Sequence, residues 1–214
     1  MDHPAILRTA LTSYAKLPHP LHILDTSTSP WEVMCGIILS AATTDAAVNA
    51  ALPGFLAKYP TPETVVAASK DDMIALLPAI AHTGGKCDYI KNWANYLIQH
   101  RGQYSTSIGE LTQLQGIGRK TAGIFLWVLA KKDESFPLDT HCLRVLERLG
   151  WYAATTPKAL EKLLLTEFPE GTRNLTHRML TQFGRLHCTY RNPQCATCPL
   201  RAECKFFGNS AATT

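Results

Sequence analysis

The stretch Leu114-Gln115-Gly116-Ile117-Gly118-Arg119-Lys120-Thr121-Ala122-Gly123 decides the fold, because it joins two predicted helices through a tight turn. A capping-box pattern at Ser107 predicts a short helix that ends at Gly116. The apolar run after the turn predicts a buried helix over Arg119–Leu129. Glycine at 116 and at Gly118 permits a positive φ and the close approach of another backbone. The sequence therefore predicts a hairpin of two helices.

The start of the second helix carries backbone N–H groups and the positive end of the helix dipole, which together suit a phosphate. The spacing G-x-x-x-x-G-K of a nucleotide-binding P-loop is absent, and a plain turn between helices remains an alternative. Lys120 lies in the first turn of this helix. The dipole and the partial burial expected from the following apolar residues both favour its neutral, nucleophilic amine. From position alone, a phosphate-binding or solvated lysine is the simpler interpretation.

A second chemical candidate lies in Pro137-Leu138-Asp139-Thr140-His141. Asp139 directly precedes a predicted helix, so an N-cap role explains it without any chemistry. A carboxylate held by backbone N–H groups is also fixed and ionised, and beside an amine nucleophile it can move protons or stabilise a cation. His141 either orients this region or is a core histidine.

Four of the seven cysteines lie within 17 residues, at Cys188, Cys195, Cys198 and Cys204. Two disulfides are not expected in a reducing compartment, and the spacing suits one metal centre bound by four thiolates. Zinc sites usually combine two C-x2-C-like pairs, whereas only one such pair is present here. The spacing therefore favours a [4Fe–4S] cluster over zinc. A third interpretation is that the four cysteines bind no metal and only pack in the core. The remaining cysteines, at 35, 87 and 142, are expected to be buried apolar residues.

Helix signals dominate the rest of the chain, and no period-two strand pattern appears, so the predicted class is all-α. The N-terminal residues predict an amphipathic helix with one apolar face; that face comprises Ile6, Leu7, Ala10, Leu11 and Tyr14. No apolar run reaches the roughly 20 residues of a membrane span, and no secretory signal is visible. We therefore expect a cytoplasmic protein with no membrane partner.

Charge is distributed unevenly along the 214 residues, whose net charge is +4. Residues 1–107 carry seven Lys/Arg against eight Asp/Glu, and residues 108–214 carry fourteen against nine. The basic second half is compatible with chance on a solvated surface. It also fits an anionic partner, for which nucleic acid is the best candidate.

Three motifs, LQGIGRKTA, PLDTHCLRV and the C-x6-C-x2-C-x5-C tail, agree in order and spacing with one family. On these motifs the sequence resembles the endonuclease III group of the helix-hairpin-helix DNA glycosylase superfamily. A weaker fourth match is ILSAATTD at Ile38–Asp45. The resemblance covers nearly the whole chain.

The resemblance implies a two-lobed fold. One lobe would be a six-helix barrel with the hairpin, over residues 25–132. The other, from residues 1–24 and 133–214, would hold a [4Fe–4S] cluster on the four C-terminal cysteines. The implied partner is double-stranded DNA with damaged or abasic sites, bound by a monomer.

The implied activity is a DNA glycosylase with AP lyase activity on oxidised pyrimidines in base excision repair. Lys120 would form a Schiff base with the sugar, Asp139 would assist it, and β-elimination would nick the strand 3′ to the lesion. The DNA contacts implied by the matching positions are Gly116, Gly118, Arg119, Thr44, His82 and Arg191.

The sequence departs from the family at two positions that meet DNA. Ala42 stands where relatives have a glutamine that fills the gap left by the flipped nucleotide, and His82 stands where they usually have a leucine wedge. Flipping a base out of the duplex costs a few kcal/mol. At an abasic site this cost is lower, because no base has to be unpaired. We therefore expect lyase activity to be more secure than base removal. The alternative function is a DNA-binding Fe–S protein with little or no catalysis.

Overall fold

The computed structural model describes residues 2–153 and 156–211, and every regular element in these ranges is helical. The predicted all-α class is confirmed. Within the same ranges, no helix has the length and apolar character required to cross a membrane.

Contacts divide the chain into two compact units. The central unit is Pro18–Lys132, and the terminal unit combines the residues up to Leu17 with those from Asp133 onward. The sequence-based boundary at residue 25 differs from the one at Pro18, because Leu21 and Leu24 are buried in the core of the central unit.

The central unit consists of eight helices among its described residues. They are α2 (Ile23–Thr26), α3 (Pro30–Ser40), α4 (Asp45–Lys58), α5 (Pro62–Ala67), α6 (Lys70–Ala75), α7 (Thr83–Gln99), α8 (Ile108–Leu111) and α9 (Arg119–Ala130). Their core is built around the fully buried rings of Phe55, Trp93 and Phe125. The indole of Trp93 lies edge-on to Phe125, which joins α7 to α9.

Helix α7 begins earlier than the Asp88–His100 helix that the apolar stripe predicts. It starts at Thr83 after His82, whose left-handed backbone (φ 54°) sets the N-terminal boundary. It ends at Gln99, one residue before the predicted end, and Gly102 follows it with a φ of 79° and donates its N–H to the carbonyl of Leu97 at 2.7 Å. The helix therefore presents one further turn, which carries the buried Lys86.

The terminal unit has its own core and its own helices. They are α1 (His3–Ala15), α10 (Thr140–Leu149), α11 (Pro157–Glu167), α12 (Arg173–Leu186) and α13 (Lys205–Ala211), with short 3₁₀ turns at Cys195–Thr197 and Arg201–Glu203. The predicted apolar face of α1 is confirmed, since Leu7 and Leu11 are fully buried. Asp133 fixes the start of α12 by accepting hydrogen bonds from the backbone N–H groups of Arg173 and Asn174, each at 2.8 Å.

Candidate functional site

The turn between α8 and α9 depends on Gly116. Its φ is 91°, a region that side-chain-bearing residues rarely adopt. A Cβ at this position would lie 2.1 Å from Cγ of Tyr89 on α7. Glycine is therefore required here for both backbone conformation and space, as the sequence predicts.

Gly118 does not adopt the positive φ that glycine permits. Its φ is −84° and its ψ 172°, so it needs no positive φ. Apart from its neighbours in the chain, no heavy atom lies within 4 Å of the position that a Cβ would occupy. As the N-cap of α9 it has no side chain with which to cap the helix. The backbone is thus open to a ligand at this point.

Lys120 is exposed in the first turn of α9, and the predicted partial burial is wrong. The buried residues of this helix include Phe125, five positions further along. Five residues of an α-helix amount to about 140° around its axis, so Phe125 faces almost the opposite side. Arg119 is exposed beside Lys120.

Two further loops of the central unit are linked to each other. Ala42 and His82 are exposed, and each has an unusual left-handed backbone, with φ values of 51° and 54°. The hydroxyl of Thr43 accepts a hydrogen bond from the backbone N–H of Ala81 at 3.2 Å, which joins the two loops. Thr44 next to them is exposed and caps α4 through its hydroxyl. Thr44, Ala42 and His82 are therefore on adjoining loops.

Lys86 locks this pair of loops and was missed by the sequence reasoning. Its ammonium donates to the carbonyls of Leu39 (2.8 Å) and Ala41 and to the hydroxyl of Thr43 (2.9 Å). The residue is only 4% exposed, and burial lowers the pKa of its amine. A signal was present in the sequence: Lys86 occupies the same face of α7 as Ile90, at the helical spacing of core residues.

In the terminal unit, Asp139 is the N-cap of α10, as predicted. Its Oδ1 accepts a hydrogen bond from the backbone N–H of Cys142 at 2.7 Å, and its Oδ2 accepts one from the hydroxyl of Thr181 on α12 at 2.9 Å. Its side chain is 11% exposed. Both carboxylate oxygens are therefore held.

Three polar residues lie in the same unit as Asp139 and make side-chain contacts that the sequence did not predict. His177 and Thr181 are both buried and lie one turn apart on α12. His141 is half-buried and contacts the guanidinium of Arg144 at 3.2 Å through Nδ1. The sequence reasoning missed His177 and Thr181, because a polar pair on a helix face does not reveal which other helix it meets.

The four C-terminal cysteines line one pocket, and none forms a disulfide. Arg148 holds their loop: it donates to Sγ of Cys188 at 3.3 Å, and its backbone carbonyl accepts the thiol of Cys204 at 3.4 Å. Burial raises the pKa of Cys195 and Cys198, and the charges of neighbouring cysteines raise it further. Four thiolates this close repel one another unless a cationic group lies among them.

The region of the four cysteines contains two further polar side chains. Among the described residues, no three His, Cys, Asp or Glu side chains are grouped so that they could hold one metal ion. The buried Nε2 of His187, which lines the same pocket, has no hydrogen-bond partner. Arg191 is exposed in the loop between Cys188 and Cys195.

The other cysteines behave as predicted. Cys35, Cys87 and Cys142 are fully buried, the first two in the core of the central unit and the third in that of the terminal unit. They are structural apolar residues.

Comparisons with known proteins give one consistent result. Residues 35–170 match the family model of the HhH-GPD superfamily base excision DNA repair protein. Endonuclease III of Thermotoga maritima is 33% identical over 181 residues, which cover 84% of each chain, and endonuclease III of Bacillus subtilis is 33% identical over 83% of this chain and 81% of its own.

A solved structure of a trapped covalent intermediate of endonuclease III with DNA, an estranged-adenine complex, superposes with a TM-score of 0.86. The identity is 30%, and the match covers 99% of this chain and 100% of that one. The chain belongs to the endonuclease III group of the HhH-GPD superfamily of base excision DNA repair proteins.

Proposed function

We propose that this protein is a bifunctional DNA glycosylase and AP lyase for oxidised pyrimidines in double-stranded DNA, with Lys120 as its nucleophile. The observation that carries the proposal is the exposed lysine in the first turn of α9, directly after a hairpin whose Gly118 leaves the backbone open. The related endonuclease III that has been trapped as a covalent DNA intermediate supports it.

In the proposed reaction the neutral amine of Lys120 attacks C1′ of the damaged nucleotide. The base leaves with the electron pair of its bond to C1′ and takes up a proton, and the nitrogen lone pair then forms an imine as the C1′–O4′ bond breaks and the sugar opens. Loss of a proton from C2′ breaks the C3′–oxygen bond and nicks the strand 3′ to the lesion. Asp139 assists by accepting a proton or by stabilising the cationic sugar, for which a held, ionised carboxylate is suited.

The hairpin supplies the phosphate grip in this proposal. Gly116 and Gly118 let the backbone approach a DNA phosphate, and the first turn of α9 offers N–H groups and the positive end of the helix dipole. Arg119 adds a charge beside them, and we assign Thr44, His82 and Arg191 to further DNA contacts. Each of these residues is exposed, as a DNA contact requires.

We propose that Cys188, Cys195, Cys198 and Cys204 hold a [4Fe–4S] cluster. When bound, the cluster would supply structural order to the loop that carries Arg191. The support comes from four thiol ligands around one pocket and from Arg148, which fixes the loop by donating to the carbonyls of Thr189 and Tyr190 at 2.7 and 2.9 Å.

The balance between the two activities follows from Ala42 and His82. Ala42 ends in a methyl group, which can neither fill a gap in the duplex nor hydrogen-bond an orphaned base. His82 is exposed and can stack on a base, but its backbone is fixed in a left-handed conformation. We therefore propose that strand cleavage at abasic sites is the stronger activity, performed by a monomer in the cytoplasm.

Borohydride trapping on an abasic duplex tests the proposed function. Reduction of the imine should give a covalent protein–DNA adduct, which Lys120→Ala abolishes. Lys162→Ala is the matched control, since Lys162 is also an exposed helical lysine and belongs to the terminal unit. No adduct with the unaltered protein, while it still binds the duplex, would favour a DNA-binding Fe–S protein without catalysis.

A further inference from the structure

We propose that Thr181 is a positioning residue for Asp139 and that His177 orients the hydroxyl of Thr181 for this task. The proposal rests on the proposed role of Asp139 in the reaction. All three residues belong to the terminal unit, where α12 packs against α10.

Hydrogen bonds from two different segments hold the two carboxylate oxygens of Asp139. Oδ1 is occupied by the N-cap bond from the backbone N–H of Cys142 at 2.7 Å. Oδ2 accepts the Thr181 hydroxyl at 2.9 Å. With one oxygen on the helix cap and the other on a different helix, rotation of the carboxylate about its Cβ–Cγ bond is blocked.

The hydroxyl of Thr181 has a single proton, and this fixes the donor and the acceptor in each hydrogen bond from His177 through Thr181 to Asp139. A hydroxyl has one proton, and Thr181 must use it toward the carboxylate, which only accepts. Toward Nε2 of His177, 3.2 Å away, Thr181 can then only accept, so His177 carries its proton on Nε2. The direct distance from this Nε2 to Oδ2 of Asp139 is 3.8 Å, which is too long for a hydrogen bond. His177 therefore acts on the carboxylate through Thr181.

A second threonine on α12 shows that this use of the hydroxyl is not the default. Threonine inside a helix usually bonds to a carbonyl of its own preceding turn. Thr176 does so, donating to the carbonyl of Thr172 at 2.7 Å, and it is 2% exposed. Thr181, at 8% exposure, donates to Asp139 instead. A helix cap alone needs only one carboxylate oxygen, so the bond from Thr181 serves the orientation of the second.

The test compares single-turnover nicking of an abasic duplex by three variants. Thr181→Val keeps the shape but loses the hydroxyl and should lower the rate about tenfold, the cost of one hydrogen bond to a charged group, with the Kd for DNA unchanged. Thr181→Ser keeps the hydroxyl and should retain most of the rate. Thr176→Val is the matched control and should react like the unaltered protein.

Two results would overturn the proposal. The first is an equal nicking rate for Thr181→Val and Thr176→Val. The second is a nicking rate of Thr181→Ser that is as low as that of Thr181→Val. Asp139→Asn separates this failure from that of the proposed function. If Asp139→Asn is as fast as the unaltered protein, the role of Asp139 fails; if it is slow while Thr181→Val is fast, only the positioning role fails. In the Asp139→Asn background, Thr181→Val should have no further effect.

Imidazole nitrogen NMR provides an independent readout for His177. The ring should carry a proton on Nε2. A ring protonated on Nδ1 alone would contradict the proposed hydrogen bond from Nε2 of His177 to the hydroxyl of Thr181.

Discussion

Two glycines of the hairpin, separated by one residue, should differ in how strongly alanine destabilises the protein at each position. At Gly116 the added methyl group requires a φ of 91° from a residue that resists it, at a cost of about 1–2 kcal/mol. It also meets the Tyr89 ring 2.1 Å away, which adds about 1–3 kcal/mol of overpacking. Gly116→Ala should therefore lower Tm by at least about 4 °C.

At Gly118 the same substitution has a different effect. Its backbone lies in an ordinary extended region, and the space for a Cβ is open. Gly118→Ala should change the free energy of unfolding by less than about 1 kcal/mol, because the restriction of the unfolded chain by alanine offsets the loss of a favoured N-cap residue. The added methyl would instead obstruct a phosphate and weaken binding of DNA about tenfold.

Thermal unfolding and fluorescence anisotropy with a duplex containing a stable abasic analogue measure both effects. A Gly118→Ala protein that is as unstable as Gly116→Ala would refute the geometry of the turn. A stable Gly118→Ala protein that binds DNA as tightly as the unaltered chain would refute the phosphate grip.

Three further predictions follow from the loops, the cysteines and the departures from the family. Lys86→Met should destabilise the protein by about 1–3 kcal/mol, because the carbonyls of Leu39 and Ala41 lose their donor; chemical denaturation measures this, and an unchanged stability would contradict the cross-link. Cys198→Ser should abolish the broad visible absorbance of the purified protein while Cys142→Ser retains it, and zinc in a colourless unaltered protein would overturn the cluster. Nicking of an abasic duplex should be faster than nicking of a thymine-glycol duplex, and equal rates on the two would remove the argument from Ala42 and His82.

The hairpin was predictable from the sequence because its determinants are local. Glycine positions, a helix cap and an apolar run lie within about fifteen residues of Gly116, and each has one main structural meaning. The cysteine set was predictable for the same reason, since its spacing lies within one short segment.

The features that the sequence did not predict depend on contacts between segments that are far apart in the sequence. Lys86 finds its acceptors more than forty residues away, and Thr181 meets Asp139 across a similar separation. The exposure of Lys120 was misjudged because Ile124 and Trp127, which lie within about 40° of it around the axis of α9, are only half-buried. Helix periodicity places these apolar residues on the face of Lys120, so the sequence alone does not reveal how exposed the first turn of α9 is.

Lys120 is the residue that we expect to become covalently bonded to DNA. Borohydride-trapped adduct, digested with protease and nuclease and sequenced by mass spectrometry, locates the bond directly. The modification is predicted on Lys120, in the peptide that follows Gly116-Ile117-Gly118. A modification on any other lysine, or on the N-terminal amine, would contradict the account.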